Sequence, residues 1–318
     1  MPITRLKLAV HDDLDKVDKL IIDSLYSDIT LVQDIGKYII QSGGKRLRPL
    51  LVLISAKACG YTGNQQITLA TVIEFIHTAT LLHDDVVDGS ALRRGNATAN
   101  NKWGNEAAVL VGDFLYSRAF QLMVTIQNLD VLRVIANATN TIAEGEVLQL
   151  LHQRNPETTE KNYLHVIRCK TAKLFEAAAE VGAILANTAP NIQQALSQYG
   201  LHLGTAYQLI DDLLDYQADS DTFGKILGND LSEGKPTLPL IYLLQYGTTQ
   251  QRALVTSAIS NPQDVNLSAI QSAIINSKAL EYTLNFAKRE VNLAKQAIAE
   301  LEESEHKNTA LELANFVV

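Results

Sequence analysis

Cysteine is nearly missing from this chain: Cys59 and Cys169 are its two thiols, and they form no Cys-x-x-Cys pair. That excludes a disulfide framework and a cysteine-based zinc site, and it fits a reducing cytoplasm. Proline is scarce at 7 residues, and no Pro/Ser-rich linker or shift in composition marks a domain boundary. Positive charge is in deficit. The net charge is −8 and no basic stripe runs along the chain, which argues against nucleic-acid binding. No uncharged apolar run reaches the roughly 18–20 residues that a bilayer span needs, so peripheral membrane contact is the most to expect. Residues Met1 to Val10 are short and mixed, and Asp12 and Asp13 follow at once, unlike a cleavable signal. No stretch alternates apolar and polar residues long enough to read as a sheet.

What the chain does have is helix. Its 318 residues are 47% hydrophobic, enough for a large core. Apolar residues recur at i, i+3, i+4 spacing, as at Leu14, Val17, Leu20, Ile21 and Leu25. The pattern predicts helices over 10–25, 29–40, 47–59, 66–87, 103–127, 129–153, 159–186, 191–217, 238–245, 250–260, 267–277 and 279–301. The expected architecture is all-α: one domain over 1–318, a single large helical bundle with its active-site cavity at the centre.

Two acidic clusters stand out of that pattern. In His83-Asp84-Asp85-Val86-Val87-Asp88, Asp84 and Asp88 share a helical face, about 6 Å apart along the axis. Like charges placed so are destabilising unless a cation offsets them. Carboxylates that each offer one oxygen suit Mg²⁺, which keeps water or phosphate in its shell. One such cluster is also what a solvated acidic helix end looks like. The second, Asp211-Asp212-Leu213-Leu214-Asp215, repeats the arrangement and favours two walls of one metal site.

Cations accompany the carboxylates. Gly43-Gly44-Lys45-Arg46-Leu47-Arg48-Pro49 puts three of them just before a predicted helix, where orphan N–H groups and the dipole favour an anion. Lys45 and Arg48 can both reach one phosphate, Arg48 with a bidentate fork. Arg93-Arg94-Gly95 is a second basic pair. Lys170-Thr171 lies in an Ala/Glu-rich helix, and Lys225 and Lys235 lie in the Gly/Pro-containing connection 218–236, which reads as a flap. His77 is nearly on the face of Asp84, seven residues upstream, and Gln208 precedes Asp211 by three. Taken singly, each of these is as well explained by a surface or core role.

Together, GGKRLRP (43–49), HDDVVD (83–88) with Arg93-Arg94-Gly95, QLIDDLLDY (208–216) and GKPTLP (234–239) resemble the trans-prenyl diphosphate synthases, in the family order and through nearly the whole chain. Phe75–Asp88 and AEGEVLQL (143–150) look most like the long-chain bacterial branch, the octaprenyl diphosphate synthases. The resemblance implies the isoprenoid synthase fold, about two to three Mg²⁺ ions and a cytoplasmic homodimer. It implies elongation of an allylic diphosphate, farnesyl diphosphate for instance, by successive isopentenyl diphosphates to a long all-trans chain for a quinone side chain. It makes Asp84, Asp88, Asp211 and Asp215 metal residues, and Asp84, Asp85, Asp88, Lys170, Asp211, Asp212 and Lys225 catalytic. Arg93, Lys170, Thr171, Gln208, Lys225 and Lys235 would face the allylic diphosphate. Lys45, Arg48, His77 and Arg94 would hold isopentenyl diphosphate.

Product length is expected to follow the helix upstream of Asp84. Short-chain members of the family carry an aromatic residue one turn above the cluster. Here Ala79 and Thr80 are small, so a tail can pass Ile76, Ile73 and Val72 until Phe120, Met123 or Val124 stops it, with Met123 the first choice for the floor. One departure is the ending Leu313–Val318, which lacks the basic tail of many members and bears on closure over isopentenyl diphosphate. Two other readings are less well supported. A class I terpene synthase would not keep a full second aspartate cluster, and a non-catalytic partner subunit or plain ion binder would not need both.

Overall fold

The computed structural model describes residues 3–217 and 228–318, and these are almost wholly helical. Lys225 and most of the expected flap lie outside the described residues. The helices are α1 (Ile3–Leu8), α2 (His11–Ser24), α3 (Thr30–Gln41), α4 (Leu47–Ala58), α5 (Gln65–Val87), α6 (Ala99–Trp103), α7 (Asn105–Val124) and α8 (Leu129–His152). After them come α9 (Glu160–Ile167), a π turn (Arg168–Ala172), α10 (Lys173–Leu185) and α11 (Pro190–Gln217). Then follow α12 (Asn229–Ser232), α13 (Leu238–Tyr246), α14 (Thr249–Ser260), α15 (Leu267–Ile275), α16 (Ala279–Ala297) and α17 (Glu305–Val317).

The all-α expectation holds, with local corrections. The helix expected over 103–127 is α7, which starts only at Asn105 because Gly104, at φ +89°, breaks the path from α6. The helix expected over 159–186 carries the π turn, which periodicity cannot register. Helices α1, α6, α12 and α17 were not expected. A small hairpin was not expected either: β1 (Leu92–Arg93) pairs antiparallel with β2 (Asn96–Ala97). Its two-residue turn has positive φ at both Arg94 (53°) and Gly95 (78°), the type I′ geometry that suits a tight hairpin. Strands of two residues are too short to show alternation.

The chain forms two compact units. One comprises residues up to Thr139, Leu174–Gly200 and Ala297–Phe316; the other comprises Asn140–Lys173, Leu201–Gln296 and the last two residues. In the first unit α5 is the core helix, with α2, α4 and α7 packed on it. Its Leu69, Val72, Ile73, Phe75, Ile76, Ala79 and Leu82 are fully buried, and each large one contributes about 1.5–3 kcal/mol. Burial on most sides of the helix explains why it is largely apolar before Asp84, with Glu74 and His77 paired to arginines. In the second unit, Tyr163, Ile167, Leu209, Leu238, Ile241 and Phe286 make one core cluster from α9, α11, α13 and α16. Among the described helices, α7 alone is long and apolar enough to cross a membrane, although it carries Glu106, Asp113 and Arg118.

Candidate active site

The first aspartate cluster occupies the end of α5. Asp84 and Asp85 are in its last turn and Asp88 is its C-cap. Ser90 N–H donates to the Asp85 carbonyl (3.0 Å) and Gly89 N–H to the Val86 carbonyl (3.3 Å), with Gly89 at φ +63°. This is a Schellman ending, which stops the helix right after the third carboxylate. A helix C-terminus carries partial negative charge, so three carboxylates there need cations. One is built in. Arg93 grips Asp85 through Nε (2.9 and 3.2 Å) and Nη2 (2.8 Å), and Asp85 is 1% exposed. Burial pushes the Asp85 carboxyl above its usual range against the pull of Arg93. Asp84 and Asp88 are only half-buried. The hairpin does the positioning: β1 supplies Arg93, and its turn aims Arg94 at the 43–49 loop.

That loop forms a cationic corner. Gly43 (φ +83°) and Arg46 (φ +55°) turn the chain into α4. Arg46, one of the three cations of the motif, serves the fold instead of a ligand: it pairs with Glu74 of α5 and, at 3.5 Å, with Asp18 of α2. Lys45 is exposed, with Nζ 5.3 Å from the Phe316 ring centre of α17. Arg48 donates from Nη1 to His77 Nε2 at 3.0 Å and stacks its guanidinium 4.6 Å above the Phe175 ring. Since Arg48 can only donate, His77 presents a bare Nε2 and carries its proton on Nδ1. Burial, then the fields of Arg48, Arg93, Arg94 and Arg46, hold the imidazole neutral with a pKa well below its ordinary value. Arg94 Nη1 donates to the Gly43 carbonyl, so the second basic pair closes on the first. Arg48 and His77 are thus in direct contact, and Arg94 closes on the loop that carries Lys45.

The second cluster is on α11, in the other unit. Asp211 is exposed, while Asp212 and Asp215 are 2% and 6% exposed. Tyr163 donates its hydroxyl to Asp212 Oδ2 (2.5 Å) and Gln208 donates Nε2 to Oδ1 (2.6 Å). Burial raises the Asp212 carboxyl to about 7 despite both donors, and Asp211 and Asp215 add repulsion. Asp215 Oδ2 accepts the backbone N–H of Asp230 at 3.2 Å. Asp230, which the sequence reading did not single out, joins the acidic group from α12. Burial, then Asp212 and Asp215, push its carboxyl well above the usual range. Lys235 lies beside it: its backbone N–H donates to the Asp230 carbonyl (2.8 Å) and its ammonium pairs with Glu233 (2.5 Å). The π turn presents Lys170, whose Nζ donates to Glu146 of α8 (2.6 Å), and Thr171, whose hydroxyl donates to Gln208 Oε1 (2.9 Å). Gly145 permits this closeness, since a Cβ there would lie 2.8 Å from Lys170 N. Among the described residues no three His, Cys, Asp or Glu side chains converge to hold a metal by themselves. The donors still fit a hard divalent cation, because each cluster offers carboxylate oxygens and leaves the remaining shell to water or diphosphate.

The polyprenyl synthetase family model matches residues 29–276. This chain belongs to the polyprenyl synthetase family. As a polyprenyl synthetase it is 47% identical to the octaprenyl diphosphate synthase of Haemophilus influenzae, over all of this chain and 97% of that protein. It is 46% identical to the octaprenyl diphosphate synthase of Escherichia coli K12, over all of this chain and 99% of that protein. The fold is the all-α isoprenoid synthase fold. The polyprenyl synthase of Caulobacter crescentus CB15, solved with calcium and isoprenyl diphosphate, superposes with a TM-score of 0.96 at 41% identity, covering 99% of this chain and 97% of that one. In this polyprenyl synthetase Ala79 is fully buried, Thr80 is half-buried and Met123 on α7 is 2% exposed. Neighbours of the expected residues that escaped the sequence reading include Tyr163, Glu146, Phe175, Asp230, Glu233 and Phe316. Asp230 had a signal in its place five residues before Lys235, and Glu146 in the AEGEVLQL run (143–150). Nothing local in the sequence marks the others.

Proposed function

We propose that this polyprenyl synthetase joins an allylic diphosphate, farnesyl diphosphate in the first instance, to successive isopentenyl diphosphates and releases a long all-trans polyprenyl diphosphate, octaprenyl diphosphate, used for a quinone side chain. The full-length similarity to two octaprenyl diphosphate synthases carries the reading, and both aspartate clusters being intact supports catalysis. Asp84, Asp88, Asp211 and Asp215 would hold Mg²⁺. When bound, Mg²⁺ supplies charge neutralisation for the departing pyrophosphate.

The chain's own groups do the rest. Lys170, Lys225, Lys235 and Arg93 bind the allylic diphosphate electrostatically, and Thr171 and Gln208 flank it. Arg93 also keeps Asp85 in place, and Tyr163 and Gln208 keep Asp212 in place. Lys45, Arg48, His77 and Arg94 hold the diphosphate of isopentenyl diphosphate; neutral His77 adds an N–H donor without another full charge. The allylic C–O bond breaks, the isopentenyl double bond attacks the resulting cation, and the released pyrophosphate takes the proton lost from the adduct. Buried Ala79 and the apolar wall of α5 keep water from the growing chain. The protein works as a cytoplasmic homodimer whose membrane contact is peripheral, through its product.

The test is a product assay. Purified protein is incubated with farnesyl diphosphate, labelled isopentenyl diphosphate and Mg²⁺, and the hydrolysed prenols are sized by reversed-phase chromatography. An octaprenol band that disappears with EDTA is the expected result. Products no longer than geranylgeraniol would refute the long-chain assignment, and no elongation with any allylic starter would refute the activity.

A further inference from the structure

The π turn between α9 and α10 sets a register that the active-site description leaves unexplained. Tyr163 and Thr171 are eight positions apart. On an unbroken α-helix that spacing would turn them about 80° away from each other; one extra residue in a π turn brings them to within about 20° of a common face. Arg168–Ala172 is such a turn. The partners on α11 are Gln208 and Asp212, one helical turn apart and on one face. Three hydrogen bonds join the two pairs in one chain. Thr171 donates to Gln208 Oε1 at 2.9 Å, Gln208 donates Nε2 to Asp212 Oδ1 at 2.6 Å, and Tyr163 donates to Asp212 Oδ2 at 2.5 Å. Tyr163 is 5% exposed and its ring packs in the cluster with Ile167, Leu209 and Leu238, so its hydroxyl has little freedom to turn elsewhere.

We infer that Tyr163 is a positioning residue for the second aspartate cluster, acting through Asp212, and that the π turn exists to bring it into register with Thr171. Both Asp212 oxygens take a hydrogen bond from the chain, which fixes the carboxylate's plane and leaves exposed Asp211 to meet a ligand. Gly145 keeps the turn in place from α8, where an alanine Cβ would meet Lys170 N at 2.8 Å and Cys169 Cβ at 2.9 Å. The inference rests on the reading that the second cluster serves a metal–diphosphate site.

Tyr163→Phe removes the hydroxyl and keeps the ring. The primary readout is the rise in melting temperature produced by Mg²⁺ with inorganic pyrophosphate, since a ligand of the native state stabilises it by mass action. The variant is expected to show about half the wild-type rise or less. It should also show kcat lower by about tenfold with an unchanged KM for isopentenyl diphosphate, a split that loss of packing alone would not give. An equal rise and an equal kcat would overturn the inference. A wild-type protein with no rise would instead refute the diphosphate reading of the cluster, and the inference with it. Should the variant fail to fold, hydrogen exchange on the wild-type protein decides. Mg²⁺ with pyrophosphate is expected to protect 160–172 and 205–217 together, and protection confined to 205–217 would overturn the coupling.

Discussion

At the scale of single residues, the middle aspartate of each cluster is tied down by the chain's own donors, while three of the four outer ones keep some exposure and Asp215 is buried against the Asp230 N–H. Asp85 is held by Arg93 and Asp212 by Tyr163 and Gln208, while Asp84 and Asp88 are half-buried and Asp211 is exposed. The division follows from the repeat, because the middle member of Asp-Asp-x-x-Asp points about 100° away from the first. Burying Asp212 has a consequence for pH. Its carboxyl is pushed up to about 7, and Asp230 is raised in the same direction. A raised carboxyl pKa means that the folded form keeps a proton which the unfolded chain gives up. This contribution to stability is therefore complete below about pH 4 and is lost as pH rises through about 7. In EDTA the melting temperature should fall between pH 5 and 7.5, and Asp212→Asn should flatten that fall. The same slope in both proteins would show that Asp212 is ionised throughout.

Among the elements, α5 joins the catalytic and the packing functions. Its last turn carries the carboxylates, His77 lies two turns before them, and between these Ala79 faces the core fully buried. A larger side chain at Ala79 must take up space along the apolar wall below the cluster. Ala79→Tyr should therefore shorten the product to about one or two additions, at a packing cost of about 1–3 kcal/mol. Chromatography of the prenols together with a melting curve checks both halves. A stable variant with full-length product would remove Ala79 from the tail's path and Met123 from its floor.

At the scale of the whole molecule, the question is which apolar surface is left over. On α7 Leu110 and Val124 are each 66% exposed and Val109 is 37% exposed, and Leu129 just beyond is 81% exposed. Large exposed apolar side chains gathered along one helix and the start of the next are the kind of surface that suits association. If the chain pairs as proposed, this face is expected to lie in the interface, and sedimentation equilibrium should give twice the 34.9 kDa chain mass. Leu110→Glu should shift the balance to monomer; a wild-type protein that sediments as a monomer at micromolar concentration would contradict the dimer.

Much of this was legible before any coordinates. Helical periodicity is local, so α2 to α5 and most later helices emerged within one or two residues of their ends. The two aspartate clusters and the basic motifs are contiguous runs of unusual chemistry, and such runs can be read one residue at a time. Where the chain departs from a repeating pattern by a single residue, the sequence was silent: the break at Gly104, the π turn at Arg168–Ala172 and the two-residue hairpin. The division of labour within each motif was equally hidden. Arg46 and Arg48 look alike in the sequence, yet Arg46 pairs with Glu74 and Arg48 meets His77. Tyr163 looks like any core tyrosine, yet its hydroxyl reaches Asp212. Chemistry carried by one residue type in one run was determined by the sequence alone. Which of those residues ends up buried, paired or open was decided only by tertiary structure, because burial and charge pairing depend on partners that lie tens of residues away.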